Sequence, residues 1–225
     1  MNDAERKRLL AKIQEHIELA KASRDDEDYE DAIEELESAV SLIDGSSWHD
    51  EPSNGMIDGE NEIASRLADC LGMLGGNQRR LNRFDDALAS FTRGRKLEED
   101  RRYGINSSYN IVNAITLPIE TGAATASEQA DALSKAVQAL DFQTTRGKRR
   151  LDSWAWADYG ECALLLGDLQ QATTAYGEFK RLSDNDAVAS HVRVLARLRD
   201  ALQLRDPAVA LLVQDGIALL DPKAA

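Results

Sequence analysis

The chain has 225 residues, 43% apolar and 30% charged, enough for one large domain or two small ones with a proper core. Its formal net charge of −13 argues against a general nucleic-acid binder, which needs a basic surface to neutralise phosphate. No apolar run approaches the roughly 20 residues of a membrane span, and two lone cysteines, Cys70 and Cys162, make no disulfide framework.

The elements follow a helix–turn–helix rhythm. Leu9, Leu10, Ile13, Ile17 and Ala20 recur at helical spacing and predict an amphipathic helix over about 3–22. After "SRDDED", Tyr29, Ala32, Ile33, Leu36, Ala39 and Val40 predict a second. Residues 44–60, rich in Gly, Ser, Pro and Asp, read as a long loop. Helices are expected at about 61–79 and 84–99, then at about 104–117, where Pro118 should close the helix. "TGAATAS" leads through a Thr125 or Ser127 cap into a helix at about 127–140. The basic link "TTRGKRR" precedes helices at about 151–166 and 169–182. A last pair occupies about 185–204 and 207–220, with Pro207 in a first helical turn, where it fits. No strand pattern emerges.

Three segments share a code: "DYEDAIEELESAV" from Asp28, "RFDDALASFTRGR" from Arg83 and "DLQQATTAYGEFK" from Asp168. A bulky residue (Tyr29, Phe84, Leu169) precedes a small one by three positions (Ala32, Ala87, Ala172), and a large one follows four later (Leu36, Phe91, Tyr176). In the preceding helices Leu71, Leu74 and Gly75 stand at the same offsets as Trp156, Tyr159 and Gly160. This pattern resembles the tetratricopeptide repeat, a pair of antiparallel helices of about 34 residues. The resemblance is clearest over 61–99 and 151–182, weaker over 3–43, and loose over 104–140 and 185–220. It implies an all-α, right-handed α-solenoid of about five antiparallel helix pairs, forming a single domain over 1–225. "DSWAWADYGECALLLGD" also looks like repeat regions attached to larger signalling proteins. On this reading Trp154, Trp156 and Cys162 are packing residues of a repeat unit.

No reaction centre is legible. His16, His49 and His191 lie in separate segments without ligand-spaced partners, and "WHDE" at 48–51 sits in a Gly/Ser/Pro stretch. No nucleophile elbow or phosphate loop occurs, and "LGMLGG" reads as packing glycine. The expectation is a non-enzyme with no catalytic residue, no metal and no cofactor.

Repeat solenoids bind along the face built from the first helix of each pair. There Asn106, Asn110 and Asn113 stand at i, i+4 and i+7, so a helix over 104–117 would align them to hold a peptide backbone. A second candidate is cationic: Arg79, Arg80, Arg83, Arg101 and Arg102, with "RGKRR" at 146–150, would suit an acidic peptide or a phosphate. The N-terminus, "MNDAERKRLLAKIQEH", lacks the apolar stretch of a signal peptide. The expected protein is therefore a cytoplasmic scaffold or recruitment module with a protein or peptide partner in its groove and no membrane partner. The alternative is a regulatory sensor that takes an anionic ligand or nucleic acid through the arginines. The apolar helix 207–220 is expected to tuck into its neighbours or to join a second copy.

Overall fold

The computed structural model describes residues 1–48 and 61–221, so most of the loop expected at 44–60, with His49 of "WHDE", lies outside the described residues. The chain divides into two compact units, Met1–Ala114 and Ile115–Ala225. The first holds α1 (Asp3–Asp25), α2 (Tyr29–Asp44), α3 (Glu62–Arg80), α4 (Phe84–Glu99) and the start of α5 (Tyr109–Thr121). The second holds the end of α5, then α6 (Ala130–Thr145), α7 (Ser153–Leu165), α8 (Leu169–Leu182), α9 (Asn185–Leu202) and α10 (Pro207–Leu220). The described residues contain no strand.

The helices begin where the sequence supplies acceptors. Asp28, Asn61, Asp152, Asp168, Asp184 and Asp206 each accept a backbone N–H from the first turn that follows them. The turn inside a pair is the same three times over. At Glu27, Asn82 and Gly167 the backbone enters the left-handed region, with φ of 63°, 59° and 82°. The next residue, Asp28, Arg83 or Asp168, returns its N–H to the carbonyl five positions back, at 2.8, 2.9 and 2.9 Å. This is a Schellman closure whose last residue starts the following helix. It sends α2, α4 and α8 back along α1, α3 and α7.

Packing inside a pair explains the large–small code. Gly75 on α3 faces the Phe91 ring on α4 so closely that a Cβ would come within 2.7 Å of it. Gly160 on α7 faces the Tyr176 ring on α8, and the corresponding distance is 2.3 Å. The matched alanines Ala32, Ala87 and Ala172 are fully buried. In the α3–α4 and α7–α8 pairs the missing side chain on one helix lets an aromatic ring fill the space between the two.

Two expectations need correction. α5 begins at Tyr109, not at 104, because Gly104 takes φ 61° and interrupts helical geometry; Asn106 therefore precedes the helix. Nor does Pro118 end α5, which runs through it to Thr121. Ile115, Leu117 and Ile119 are all buried, and the Pro118 carbonyl accepts from Thr121 Oγ1 and the Ala124 N–H. Burial outweighs the hydrogen bond that the ring forfeits. At α6, Thr125 and Glu128 form a reciprocal cap, but over a turn ahead of the helix, which starts only at Ala130.

Candidate functional site: a cationic cleft in the first unit

The first unit contains a cleft of about 400 Å³ along α1, α3 and the start of α5. Its floor is made of small residues, Ala20, Ala68, Gly72 and Gly76. Tyr109 lies across the two glycines; a Cβ at Gly72 would come within 2.9 Å of its ring, and one at Gly76 within 3.3 Å of its hydroxyl. Glycine at i and i+4 thus opens a channel that one tyrosine borders, and Tyr109 is 45% exposed.

Charge surrounds this floor. Lys21 and Arg24 come from the end of α1, Arg66 and Arg80 from the two ends of α3; Asp69 is the acidic residue of the lining. Arg80 stands 5.4 Å over the Tyr29 ring and approaches Asn77 Oδ1 at 3.5 Å. Lys21 pairs with Glu18 at 3.0 Å and Arg24 with Asp25 at 2.8 Å, both on the same helix. Surface pairs of this kind contribute about 1 kcal/mol or less, so an incoming carboxylate can exchange with them.

The sequence candidates divide. Asn110 lines the cleft but is 2% exposed: its Nδ2 donates to the Ala68 carbonyl at 3.0 Å and to Glu98 Oε1 at 2.9 Å. Its side chain fills the gap left by Gly94, where a Cβ would come within 2.3 Å of it. Asn113 is also inside, accepting from Arg79 Nη1 at 3.0 Å and donating to the Tyr109 carbonyl. Asn106 is exposed, ahead of the helix. The three do not form one helical stripe.

The five arginines separate too. Arg80 enters the cleft, whereas Arg79 is buried against Asn113. Arg83 pairs with Asp86 and Glu30. Arg101 and Arg102 stand past the far end of α4, where Arg102 grips Asp100 and lowers that carboxyl's pKa through its hydrogen bonds. Arg79, Arg80 and Arg83 stand before or at the start of α4 and Arg101 and Arg102 beyond its end, separated by roughly 24 Å of helix, so the five do not form one cluster. The residues missed were Lys21, Arg24 and Arg66. For Arg66 the signal was present: Arg66, Asp69, Met73, Asn77 and Arg80 recur at steps of three and four along one face of α3.

Glu98 supports the cleft from behind. Its carboxylate accepts the Asn110 N–H and Nδ2 and the Ile111 N–H at 3.2, 2.9 and 3.0 Å, and so caps α5 from a different helix. Burial raises its pKa against the pull of these donors. The thiols sit in the core of each unit: burial lifts Cys70 to about 12 and Cys162 well above its ordinary value. His191 is buried against Tyr176 and Phe179, and desolvation lowers it to about 4. The last helix, α10, packs against α7, α8 and α9, with Val213, Ile217 and Leu220 buried and Leu211 exposed.

No family model matches the chain, and no curated protein matches it. Among solved structures it is similar to a putative kinesin light chain of Podosopora anserina with nearly identical TPR-like repeats. A single-substitution form of that protein gives a TM-score of 0.50 at 14% identity, covering 96% of this chain and 97% of that one. A second structure of the same repeats gives 0.49 at the same identity and coverage. MamA protein gives 0.39 at 14% identity, over 94% of this chain and 93% of that one. At such identity the likeness to the structure with a TM-score of 0.50 is one of fold, and it agrees with the paired helices, the thrice-repeated turn and the glycine–aromatic contacts: the chain is a tetratricopeptide-like helical repeat protein.

Proposed function

We propose that the chain is a non-catalytic interaction module whose first unit holds an extended acidic segment of a partner protein in the cleft between α1, α3 and α5. The observation that carries this reading is local inversion of charge. In a chain of net charge −13, the cleft is lined by four cations against one carboxylate. Arg66 and Arg80 are separated by roughly 21 Å of helix, the length of about six extended residues. The small floor accepts a main chain, and Arg80, already oriented over Tyr29, meets a carboxylate as a preformed fork. Asn110, the one sequence-predicted asparagine in the lining, acts by fixing α5 through Ala68 and Glu98. A compact anionic ligand is the second reading, favoured by the volume of about 400 Å³, which falls in the small-molecule range.

Fluorescence anisotropy with labelled six-residue peptides tests both. An acidic peptide should bind with an affinity that falls as salt rises, a neutral one of the same length should not, and Arg66→Glu with Arg80→Glu should abolish binding while the far-UV circular dichroism stays unchanged. Equal binding of the acidic and neutral peptides would end the reading. Competition by inorganic phosphate stronger than that of the peptide would favour the compact ligand.

A further inference from the structure

A different surface, wholly in the second unit, has a composition of its own. The end of α6, the turn after it and the start of α7 display one apolar side chain each, Phe142 at 60%, Leu151 at 79% and Trp154 at 47% exposure. Among them stand Arg146, Lys148 and Arg150, all exposed and without an ion pair among the described residues. The turn that carries them is rigid. Arg149, 5% exposed, binds Asp152 Oδ2 at 2.8 Å and Gln143 Oε1 at 3.1 Å, and its own N–H returns to the Gln143 carbonyl. The Trp156 indole N–H holds the Arg150 carbonyl at 3.1 Å. Gly147 lies so near Gln143 that a Cβ would fall 2.8 Å from its Cα. The exposed residues are thus held on a pinned frame, where ordering them on contact costs little entropy.

We propose that this turn is a docking tip for an anionic lipid surface. Aliphatic and aromatic side chains protruding beside unpaired bases match the interface of a bilayer, where apolar groups enter the headgroup boundary and bases meet anionic headgroups. The most exposed apolar residue of the tip, Leu151, has no π face on which a base could stack, so single-stranded nucleic acid fits the tip less well. Of the carboxylates at the tip, Asp152 is paired with Arg149 and Asp141 accepts from the Tyr159 hydroxyl, while acidic charge more than about 8 Å away is largely screened at physiological salt. The sequence implies no membrane partner only in the sense that it holds no run long enough to span a bilayer. No helix among the described residues is long and apolar enough to cross a membrane, and a tip that rests on the surface needs none.

The test uses an internal reporter. Trp48 and Trp156 are buried at 2% and 6% exposure, so Trp154 dominates any change of tryptophan emission at the surface. With vesicles of phosphatidylcholine and phosphatidylserine the full chain should co-sediment, and its emission should shift to the blue. Against phosphatidylcholine alone the partition should fall on the order of 100-fold, the sum of three bases near the surface. Phe142→Ser with Leu151→Ser should abolish co-sedimentation, and so should Lys148→Glu with Arg150→Glu, each with unchanged circular dichroism. Trp154→Phe should remove the blue shift and retain co-sedimentation. The cleft variants Arg66→Glu and Arg80→Glu should bind vesicles as the unmodified chain does, which separates this proposal from the peptide reading. Absence of co-sedimentation with anionic vesicles would overturn the proposal, as would co-sedimentation without a Trp154 shift. Quenching of Trp154 by single-stranded DNA, without vesicle binding, would reassign the tip to nucleic acid.

Discussion

Gly160 and Gly177 are both interior residues of helices in the second unit, yet their surroundings give them opposite roles. A Cβ at Gly160 would fall 2.3 Å from the Tyr176 ring, whereas nothing lies within 4 Å of one at Gly177. Alanine is favoured over glycine in a helix by about 1 kcal/mol, and overpacking costs about 1–3 kcal/mol. Gly177→Ala should therefore raise the denaturation midpoint and Gly160→Ala lower it, as urea melts would show. Equal shifts for both would mean that the ring at Tyr176 moves aside freely, and the repeat code would lose its packing basis. Asn110 follows the same rule at Gly94: a polar side chain occupies the room a Cβ would take, which is why a residue that looks like a ligand contact in sequence is held inside.

Among elements, the intra-pair turns are identical in geometry but not in chemistry. Gly167 adopts positive φ without a Cβ penalty; Glu27 and Asn82 adopt it with one. Glu27→Gly should stabilise the chain by about 1 kcal/mol, and Asn82→Gly by less, since asparagine tolerates this region better. Thermal melts of the two single variants would check the order. α5 depends on a carboxylate borrowed from α4. Glu98→Ala should cost about 2–4 kcal/mol, because it leaves the buried Asn110 N–H and the half-buried Ile111 N–H without their acceptor. A urea midpoint unchanged by the substitution would show that other groups cap the helix. These two cases also show how far the sequence was legible. Helix spacing and the bulky–small–bulky code placed α2, α3, α4, α8 and α10 within a residue or so, because periodicity and local caps decide them. The start of α5 was not legible, since its cap lies eleven residues upstream of its first residue, in another helix. The cleft was half legible: Arg80 was singled out and Arg66 shares its face of α3, but Lys21 and Arg24 join them only through the packing of α1 on α3.

At the scale of the molecule, a buried group with a shifted pKa lies in each unit, and the two, His191 and Glu98, respond to acid in opposite senses. His191, in the second unit, is held neutral by burial. Its pKa of about 4 lies below the ordinary 6.5, so the stability it allows is complete above pH 6.5 and is lost as pH falls toward 4, by about 3 kcal/mol. Glu98, in the first unit, has a raised pKa; its share is complete at acid pH and lost as pH rises through the folded value. Mild acid should therefore weaken Ile115–Ala225 before Met1–Ala114, and His191→Phe should flatten the acid limb of the second unit's melt. The chain also brings its own means of watching this. Cys70 lies in one unit and Cys162 in the other, each shut away from reagent and held as the unreactive thiol. A thiol so placed reacts only when the structure around it opens, so the rate at which each cysteine is modified, normalised to the unfolded chain at the same pH, is a clock for the opening of its own half. Two clocks in one polypeptide, read apart by mass after digestion, would time the breathing of the two units in a single tube without adding any probe.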